Sequence, residues 1–180
     1  MKNGVYLRKV ELKDTEILFK WFNDKENVKY MSTIMRCNPH SKESIENEIN
    51  NSDDNYERLF MVCVNSDEKT IGYAGIDDID FNDKRAEIFF LIGEIEEKRK
   101  GYGKKIVKLL LDYAFNELCL NSLFATATIE NKPAISVLEK AGFSRIGIRR
   151  QYNYINRKYL DEIFFDITHE DYEISKRNNI

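Results

Sequence analysis

Short apolar runs separated by polar turns dominate the first half of the chain. Residues 59–64 form a continuous apolar run, and strand-like runs follow at 70–76 and 86–92. Polar segments at 66–68 and 81–84 provide turns between them. Short strands joined in this way are typical of an antiparallel meander, and we expect three such strands here.

Ahead of this meander, the pattern predicts one strand and two helices. Residues 5–7 alternate between two faces, as a short strand does. Asp14 is a candidate N-cap for a helix that carries apolar residues on one side and ends at Asp24. Ser41 is a candidate N-cap for a second helix.

The second half begins with helical periodicity. Over residues 101–119, Val107, Leu111, Ala114 and Leu118 recur at the spacing of one helix face, and a separate row of positions is polar. The pattern therefore predicts an amphipathic helix.

A further strand, a helix and a hairpin follow. A strand-like run at 123–128 precedes a helix that begins after Asn131 and ends before Gly142, two residue types that suit the N-cap and C′ positions. Segments 146–154 and 159–167 predict a closing hairpin.

The resulting element order is β-α-α-β-β-β-α-β-α-β-β, with about four helices and a polar tail at 171–180. This order predicts an α/β (α+β) fold. The strand–helix–strand passage through 101–128 implies one parallel pairing in an otherwise antiparallel sheet. A chain of 180 residues suits one domain, so we expect 1–180 to be a single domain.

Charge and composition narrow the possible classes of partner. The net charge of -3 argues against a general nucleic-acid binder, and no apolar window is long enough for a membrane span or signal peptide. Cys37, Cys63 and Cys119 lack paired spacing, which favours reduced thiols in the cytoplasm. His40 and His169 are far apart in sequence, so we expect no metal centre.

The segment 98–105 reads Lys-Arg-Lys-Gly-Tyr-Gly-Lys-Lys and lies between a predicted strand and the amphipathic helix. Gly101 and Gly103 allow a tight turn and a close ligand, and unpaired N–H groups at the start of a helix favour an anion. The segment is a candidate phosphate site. A plain basic start of a helix is the alternative, and the spacing fits neither a Walker loop nor a Rossmann fingerprint.

Two motifs carry a family resemblance. Lys98-x-x-Gly101-x-Gly103 resembles the R/Q-x-x-G-x-G/A pyrophosphate loop of the GNAT acyl-CoA N-acyltransferases. The segment 131–143, NKPAISVLEKAGF, is similar to their N-x-x-A-x-x-x-Y-E-K-x-G-F segment, particularly in the RimJ/RimL-type and polyamine-acetylating branches. The stretches at 21–24 and 157–161 also resemble this family. The resemblance spans nearly the whole chain.

The resemblance implies the GNAT fold, a mixed V-shaped sheet whose fourth and fifth strands splay apart, and acetyl-CoA as the co-substrate without a metal. It implies that backbone groups of strand four bind the pantetheine arm, that the glycine loop binds the pyrophosphate, and that the next helix contacts the cofactor. The residues implied in cofactor binding are Phe90, Leu91, Ile92, Lys98, Arg99, Lys100, Gly101, Tyr102, Gly103, Lys104, Asn131 and Ser136.

The chain departs from the family pattern at two positions. Lys98 stands where Arg or Gln is usual, which keeps the charge and loses the planar guanidinium. Leu138 stands where the family often has a tyrosine that protonates the leaving thiolate. Because leucine donates no proton, a general acid does not carry over to this chain. Tyr152 and Tyr154 are substitutes only if they reach the sulfur.

Glu87 and Tyr73 are the candidate catalytic residues. Acetyl transfer to an amine needs a base for the ammonium proton, and Glu87 shares a strand face with Phe89 and Leu91 near the expected thioester. The alternative role for Glu87 is an ion pair on a solvated face. Tyr73 is a candidate wall of the acceptor cleft, with a core position as its alternative.

Carboxylates around the expected acceptor side favour a cationic amine. They are Asp77, Asp78, Asp80, Glu87, Asp161 and Glu162. The expected acceptor is a small-molecule amine, such as a polyamine or amino sugar, or a protein N-terminus. Relatives are often dimers, so the resemblance makes a homodimer an expectation that the residues themselves do not indicate.

Two other functions compete with N-acetyl transfer. Because Leu138 removes the usual acid, the chain is alternatively a non-catalytic acyl-CoA or amine-binding sensor or assembly module. The basic glycine loop alternatively binds a nucleotide without CoA.

Overall fold

One seven-stranded sheet organises the part of the chain that the computed structural model describes, residues 4–52, 56–64 and 69–177. The strands are β1 (Val5–Lys9), β2 (Arg58–Val64), β3 (Thr70–Asp80), β4 (Arg85–Ile92), β5 (Ser122–Thr128), β6 (Ser144–Ile155) and β7 (Lys158–Thr168). Their order across the sheet is β1-β2-β3-β4-β5-β7-β6. The meander and closing hairpin are confirmed. The predicted turn at 66–68 lies outside the described residues.

Seven α-helices flank the sheet within the described residues, in place of the expected four. They are α1 (Thr15–Phe22), α2 (Lys25–Val28), α3 (Thr33–Cys37), α4 (Lys42–Asn51), α5 (Tyr102–Asp112), α6 (Lys132–Lys140) and α7 (His169–Arg177). Short 3-10 helices lie at Leu12–Asp14 and Ile95–Glu97, and α5 ends in a π-helical turn at Tyr113–Glu117.

Strands β4 and β5 diverge after a short parallel pairing. Only Arg85, Ala86 and Glu87 of β4 pair with β5, and every other strand pairing in the sheet is antiparallel. Beyond Glu87, β4 continues to Ile92 without pairing on this edge with any other described strand. The mixed, mostly antiparallel sheet therefore has the V-shaped gap that the resemblance implied.

The sheet separates two hydrophobic cores because side chains alternate between its faces. One core packs β strands against α5 and α6, with Ile106, Leu110 and Leu138 buried in it. The other packs Tyr73 and Leu91 against α1 and α4. Glu87 is in phase with Leu91, so its side chain lies on the face covered by α1 and α4.

Local capping residues act as the sequence predicts. The Ser41 hydroxyl accepts from the Ser44 N–H at 3.0 Å, and the Asn131 side chain accepts from the Ala134 N–H at 3.4 Å. Gly142 has a φ of +99°, the left-handed conformation of a helix C′ position. These caps fix the ends of α4 and α6.

Two terminal features differ from the sequence predictions. Residues 171–177 of the segment predicted as a polar tail instead belong to α7, because Tyr172 is buried against Phe115, with ring centroids 5.0 Å apart. The rest of that segment, 178–180, lies outside the described residues. Asp14 precedes α1 as expected, but its carboxylate does not cap that helix. It accepts two hydrogen bonds from Arg8 at 2.6 and 2.8 Å.

Candidate active site

The edge of β4 that faces the gap carries backbone groups with no strand partner. The Gly93 N–H donates to the Ile71 carbonyl of β3 at 3.0 Å. Successive backbone groups along a strand point to opposite edges, so the N–H and C=O groups of Phe90 and Ile92 point toward the gap. These groups can pair with an extended ligand that lies between β4 and β5.

Leu91 differs from its two neighbours. A Cβ placed on Gly72 of β3 would lie 2.3 Å from the Leu91 carbonyl oxygen, so this carbonyl points toward β3 and not into the gap. Its side chain is buried in the core under α1 and α4. The β3–β4 register is continuous from Glu87 to Ile92.

The glycine loop begins α5 and leaves its first amides unpaired within the described residues. Gly101 has a φ of +81° and stands at the N-cap, where no side chain caps the helix. A Cβ on Gly103 would lie 3.0 Å from Val137 of α6, so this glycine lets α5 and α6 pack closely. Exposed N–H groups at a helix start form an anion site.

The basic side chains of the loop divide into two groups. The Lys98 ammonium donates to the side-chain oxygen Oδ1 of Asn27 at 2.7 Å, and Lys100 forms an ion pair with Glu97 at 2.9 Å. Arg99 and Lys104 have no ion pair or side-chain hydrogen bond within the described residues. Arg99 and Lys104 are therefore the cations available to a phosphate, whereas the ammonium groups of Lys98 and Lys100 are occupied by protein partners.

Asn27 was not singled out from the sequence, and it joins the gap to the glycine loop. It is buried, and its amide donates to the Gly93 carbonyl at 3.0 Å while its carbonyl accepts from Lys98. The end of β4 and the start of the loop are thereby attached to α2. No local sequence pattern predicts this role of Asn27, because Gly93 and Lys98 lie far from it in the sequence.

Helix α6 provides the other implied cofactor contacts. Asn131 is half-buried at its N-cap, and Ser136 is half-buried without a hydrogen bond from its hydroxyl to the described residues. Leu138 is buried in the core, with 2% of its surface exposed. Tyr152 and Tyr154 are exposed and lie against Arg149 and Tyr159, respectively.

Tyr73 is buried on the α1 and α4 face, and its hydroxyl donates to Glu48 of α4 at 3.1 Å. Burial raises the pKa of this phenol well above 10, with the Glu48 carboxylate adding to the effect. Its ring packs on Phe22 and Phe89 at centroid distances of 5.3 and 5.5 Å. The structure therefore places Tyr73 in the core under α1 and α4, opposite Leu91 of β4.

Glu87 occupies the last paired position before the gap opens. Burial raises the pKa of its carboxyl to about 7, and the negative charges of Asp77 and Glu162 add to the effect, while a hydrogen bond from Thr126 opposes it. Asp77 is its register partner on β3. A half-buried carboxylate with a pKa near neutrality is suited to accept a proton.

The acidic residues named from the sequence are only partly brought together. Asp77, Glu162 and Asp78 all raise the pKa of Glu87, and burial together with the Asp78 charge raises the pKa of Asp77 to about 6. Asp80 instead accepts from the backbone N–H groups of Asn82 and Asp83 in the turn. Asp161 accepts from the Gln151 N–H at 2.8 Å.

A hydrogen-bond network closes the side of the gap opposite Glu87. Asn153 of β6 donates to Glu162 at 3.2 Å and to Thr128 at 3.4 Å, and accepts from Arg36 of α3 at 3.0 Å. Arg36 also donates to the Tyr154 carbonyl at 3.0 Å. Helix α3 is thus tied to β6, a contact between segments that the sequence pattern leaves unrelated.

Comparison with known proteins identifies the family. Residues 5–144 match the family described as acetyltransferase (GNAT) domain. The chain belongs to the GNAT acetyltransferases. It is also 30% identical over 167 residues to the N-acetyltransferase p20 of Bacillus licheniformis, a match that covers 92% of this chain and 93% of that protein. The chain is therefore an acyltransferase, as the sequence predicted.

Solved GNAT structures share the fold. The crystal structure of spermidine N-acetyltransferase from Vibrio cholerae in complex with CoA and spermine superposes with a TM-score of 0.86 at 26% identity, and the match covers 94% of this chain and 98% of that one. A dodecameric structure of the Vibrio cholerae enzyme gives a TM-score of 0.81 at 25% identity, with 94% and 96% covered.

The described residues contain neither a candidate metal centre nor a candidate membrane-spanning helix. No group of three or more His, Cys, Asp and Glu side chains in the described ranges is arranged to hold a metal ion. None of the helices in that part of the chain has the length and apolar character of a membrane span.

Proposed function

We propose that this GNAT chain transfers an acetyl group from acetyl-CoA to a primary amine by direct attack in a ternary complex. The observation that carries the proposal is the position of Glu87. This carboxyl, with its pKa raised to about 7, lies where the gap between β4 and β5 opens. The gap has a candidate cofactor edge on β4 and a candidate pyrophosphate site at the start of α5.

Acetyl-CoA is the co-substrate, and the residues present fit it. The first amides of α5, together with Arg99 and Lys104, bind the pyrophosphate. The backbone groups of Phe90 and Ile92 bind the pantetheine arm in the gap. Asn131, the N-cap of α6, and Ser136 within α6 contact the cofactor from the side of this helix. CoA in the Vibrio cholerae relative supports this assignment.

Glu87 acts as the base. An amine arrives as an ammonium, because its pKa lies near 10, and must lose a proton before it attacks. Glu87, whose carboxyl pKa is raised to about 7, accepts this proton. The amine lone pair then forms the C–N bond, the C–S bond breaks with its electron pair leaving on sulfur, and the nitrogen releases its second proton to water to give the neutral amide. An unpaired β4 N–H, that of Ile92 or Phe90, donates to the developing oxyanion.

The leaving thiolate needs no dedicated acid. A thiol has a pKa of about 8.5, so releasing it as a thiolate at neutral pH costs only about 2 kcal/mol relative to the thiol. Water can protonate it afterwards. The absence of a donor at Leu138 therefore lowers the rate without abolishing the reaction.

The negative charges of Asp77, Glu87 and Glu162 favour an acceptor that is bound as a cation. A polyamine, an amino sugar and a protein N-terminus all meet this requirement. Spermine in the Vibrio cholerae relative makes polyamines the first compounds to test.

The experiment is a thiol-release assay with acetyl-CoA and a panel of amines, in which the acetylated product is identified by mass spectrometry. We expect release that depends on the amine and grows as the pH rises through about 7. Release without an acetylated amine would contradict the proposal.

Leu138 favours a second candidate, a non-catalytic sensor of acyl-CoA or of an amine. Its burial leaves α6 without the tyrosine that is usual at this place in the family. Tight binding of acetyl-CoA by calorimetry, combined with no acetylation of any amine at any pH, would support this candidate. A melting temperature raised by ATP and not by CoA would instead support simple nucleotide binding.

We further propose a homodimer and a cytoplasmic location. The dodecameric relative supports self-association. The three cysteines are free thiols, which suits a reducing compartment. Light scattering of the purified chain tests the assembly.

A further inference from the structure

Arg149 of β6 is held in place by aromatic rings. Its guanidinium carbon lies 4.3 Å from the centre of the Phe164 ring and 4.8 Å from the centre of the Tyr152 ring. Such stacking orders the guanidinium plane and leaves its N–H groups free to donate around the rim.

The carboxylates nearest to Arg149 are directed to other donors. Glu162 is its register partner on β7 but accepts from Asn153 at 3.2 Å. Asp161 accepts from the Gln151 N–H at 2.8 Å. Neither Arg149 nor Arg150 forms a salt bridge within residues 4–52, 56–64 and 69–177. Arg149 therefore faces Glu162 across the strand pair without an ion pair in this part of the chain.

The β6 backbone changes course at Arg149 and forms a cavity. The pairing with β7 shifts register between Arg149 and Asn153, and Gln151 adopts a φ of +54°. An open cavity of about 730 Å³ lies at this irregularity, lined by Arg149, Arg150, Gln151, Tyr152 and Asp161. Bulges of this kind redirect side chains beside active sites.

Arg149 lies on the same face of the sheet as Glu87. Glu87 pairs in register with Phe124 of β5, Thr126 follows two residues later on the same face and pairs with Phe164, and the Arg149 guanidinium stacks on Phe164. Adjacent strands are about 4.8 Å apart, so these steps separate the guanidinium from the Glu87 carboxylate by on the order of 10 Å. A small molecule can reach both groups at once.

We propose that Arg149 binds an anionic group, a carboxylate or a phosphate, on the acceptor amine. This inference rests on the proposed function, because it assigns the two ends of the same acceptor. The amine lies at Glu87, and the anion accepts hydrogen bonds from the Arg149 guanidinium at the cavity. A zwitterionic amine, such as an ω-amino acid or an amino sugar phosphate, fits this arrangement better than a polyamine, whose second ammonium would meet a guanidinium.

The test compares acceptors that differ only at the distal end. The first arm pairs ω-amino acids of increasing length with diamines of the same lengths, and the second pairs an amino sugar with its phosphate ester. We expect kcat/KM to be higher for the anionic member of at least one arm. If the ω-amino acids show the larger gain in kcat/KM, the site binds a carboxylate. If the sugar phosphate shows the larger gain, it binds a phosphate.

Arg149→Met retains a long apolar side chain on Phe164 and removes the charge. Arg149→Met should lower the ratio of kcat/KM for the anionic acceptor to kcat/KM for its counterpart about 10- to 100-fold. Arg149→Lys should restore part of this ratio. Arg145→Met is the matched control, since Arg145 is on the same strand and pairs with Glu139 at 2.6 Å. Arg145→Met should leave the preference as in the wild type.

A binding measurement separates this inference from the proposed function. Calorimetry with inorganic phosphate and with the ω-amino acids, in the presence of CoA, should show binding that Arg149→Met weakens. That result without any acetyl transfer would retain the anion site and refute the function. The opposite result is acetyl transfer with a kcat/KM for diamines that equals or exceeds that for ω-amino acids, and that Arg149→Met changes equally for the two classes. This result would overturn the anion site and retain the function.

Discussion

Replacing Glu87 by glutamine keeps the size of the side chain and removes one titrating carboxyl. The carboxyl has its pKa raised from 4.5 to about 7, first by burial and then by Asp77 and Glu162. Each pKa unit corresponds to about 1.4 kcal/mol, so the ionised form is disfavoured in the folded state by at most about 3 kcal/mol. Glu87→Gln removes this unfavourable charge.

The sign of the effect on stability follows from proton binding. Between pH 4.5 and about 7, the folded protein retains a proton on Glu87 that the unfolded chain releases. The free energy of unfolding therefore falls as the pH rises through this window. Glu87→Gln should be as stable as the wild type near about pH 4, and more stable by up to about 3 kcal/mol near about pH 8. Urea denaturation at the two pH values measures the difference.

The effect on catalysis has the opposite sign. Loss of a base lowers kcat/KM by about 10²- to 10⁴-fold, and the rise of activity through about pH 7 should disappear in the variant. Glu117→Gln, at an exposed position beyond α5, is the matched control and should match the wild type in both measurements. A variant that is stabilised at high pH and keeps the wild-type pH–rate profile would refute Glu87 as the base.

Three further perturbations test the glycine loop and the fold. Arg99→Ala combined with Lys104→Ala should weaken CoA binding by about 10-fold or more and reduce its dependence on salt concentration, as measured by calorimetry. Gly101→Ala should destabilise the protein by about 1 kcal/mol in thermal unfolding and weaken CoA binding, because alanine is strained at a φ of +81°. Asp14→Asn should cost about 2 kcal/mol in urea denaturation at neutral pH, because it breaks the hydrogen-bonded pair with Arg8.

The Asp14 variant also carries a prediction about acid. Burial raises the pKa of Asp14, but hydrogen bonds from Arg8 and from the Glu11 N–H outweigh it and hold the pKa below 3.8. The resulting stability is present at neutral pH and is lost as the pH falls through that lowered pKa. The cost of Asp14→Asn should therefore shrink in strong acid. A loss of unfolding free energy in Asp14→Asn that is the same at every pH would contradict this account. Unchanged CoA binding in the variant that lacks both Arg99 and Lys104 would contradict the roles of those two residues.

The residue pattern determines much of this fold because the signals are local. Alternation and period set the strands and the long helices, and side chains within a few residues cap α4 and α6 at Ser41 and Asn131. The positive φ of Gly101 likewise follows from its place at the start of a helix. Element order and the glycine loop are therefore readable from the sequence.

Short helices and side-chain directions are not readable in this way. Helices α2 and α3 are too short for a periodic signal, and α7 is stabilised by the burial of Tyr172 on a distant turn. Lys98 was expected at the pyrophosphate, yet its ammonium is held by Asn27, which is 71 positions away. Contacts over such separations depend on how the whole chain packs.

The sequence by itself thus determined the order of the strands and of helices α1, α4, α5 and α6, the glycine loop and the family. The tertiary structure alone decided the chemistry of the gap. Glu87 is an ordinary carboxylate in the sequence, and its pKa near 7 exists only because folding buries it and brings Asp77 and Glu162 beside it. Likewise, Arg149 has no ion pair within the described residues, and its register partner Glu162 accepts from Asn153 instead. Burial and electrostatic interaction depend on distances in space, which local patterns do not specify.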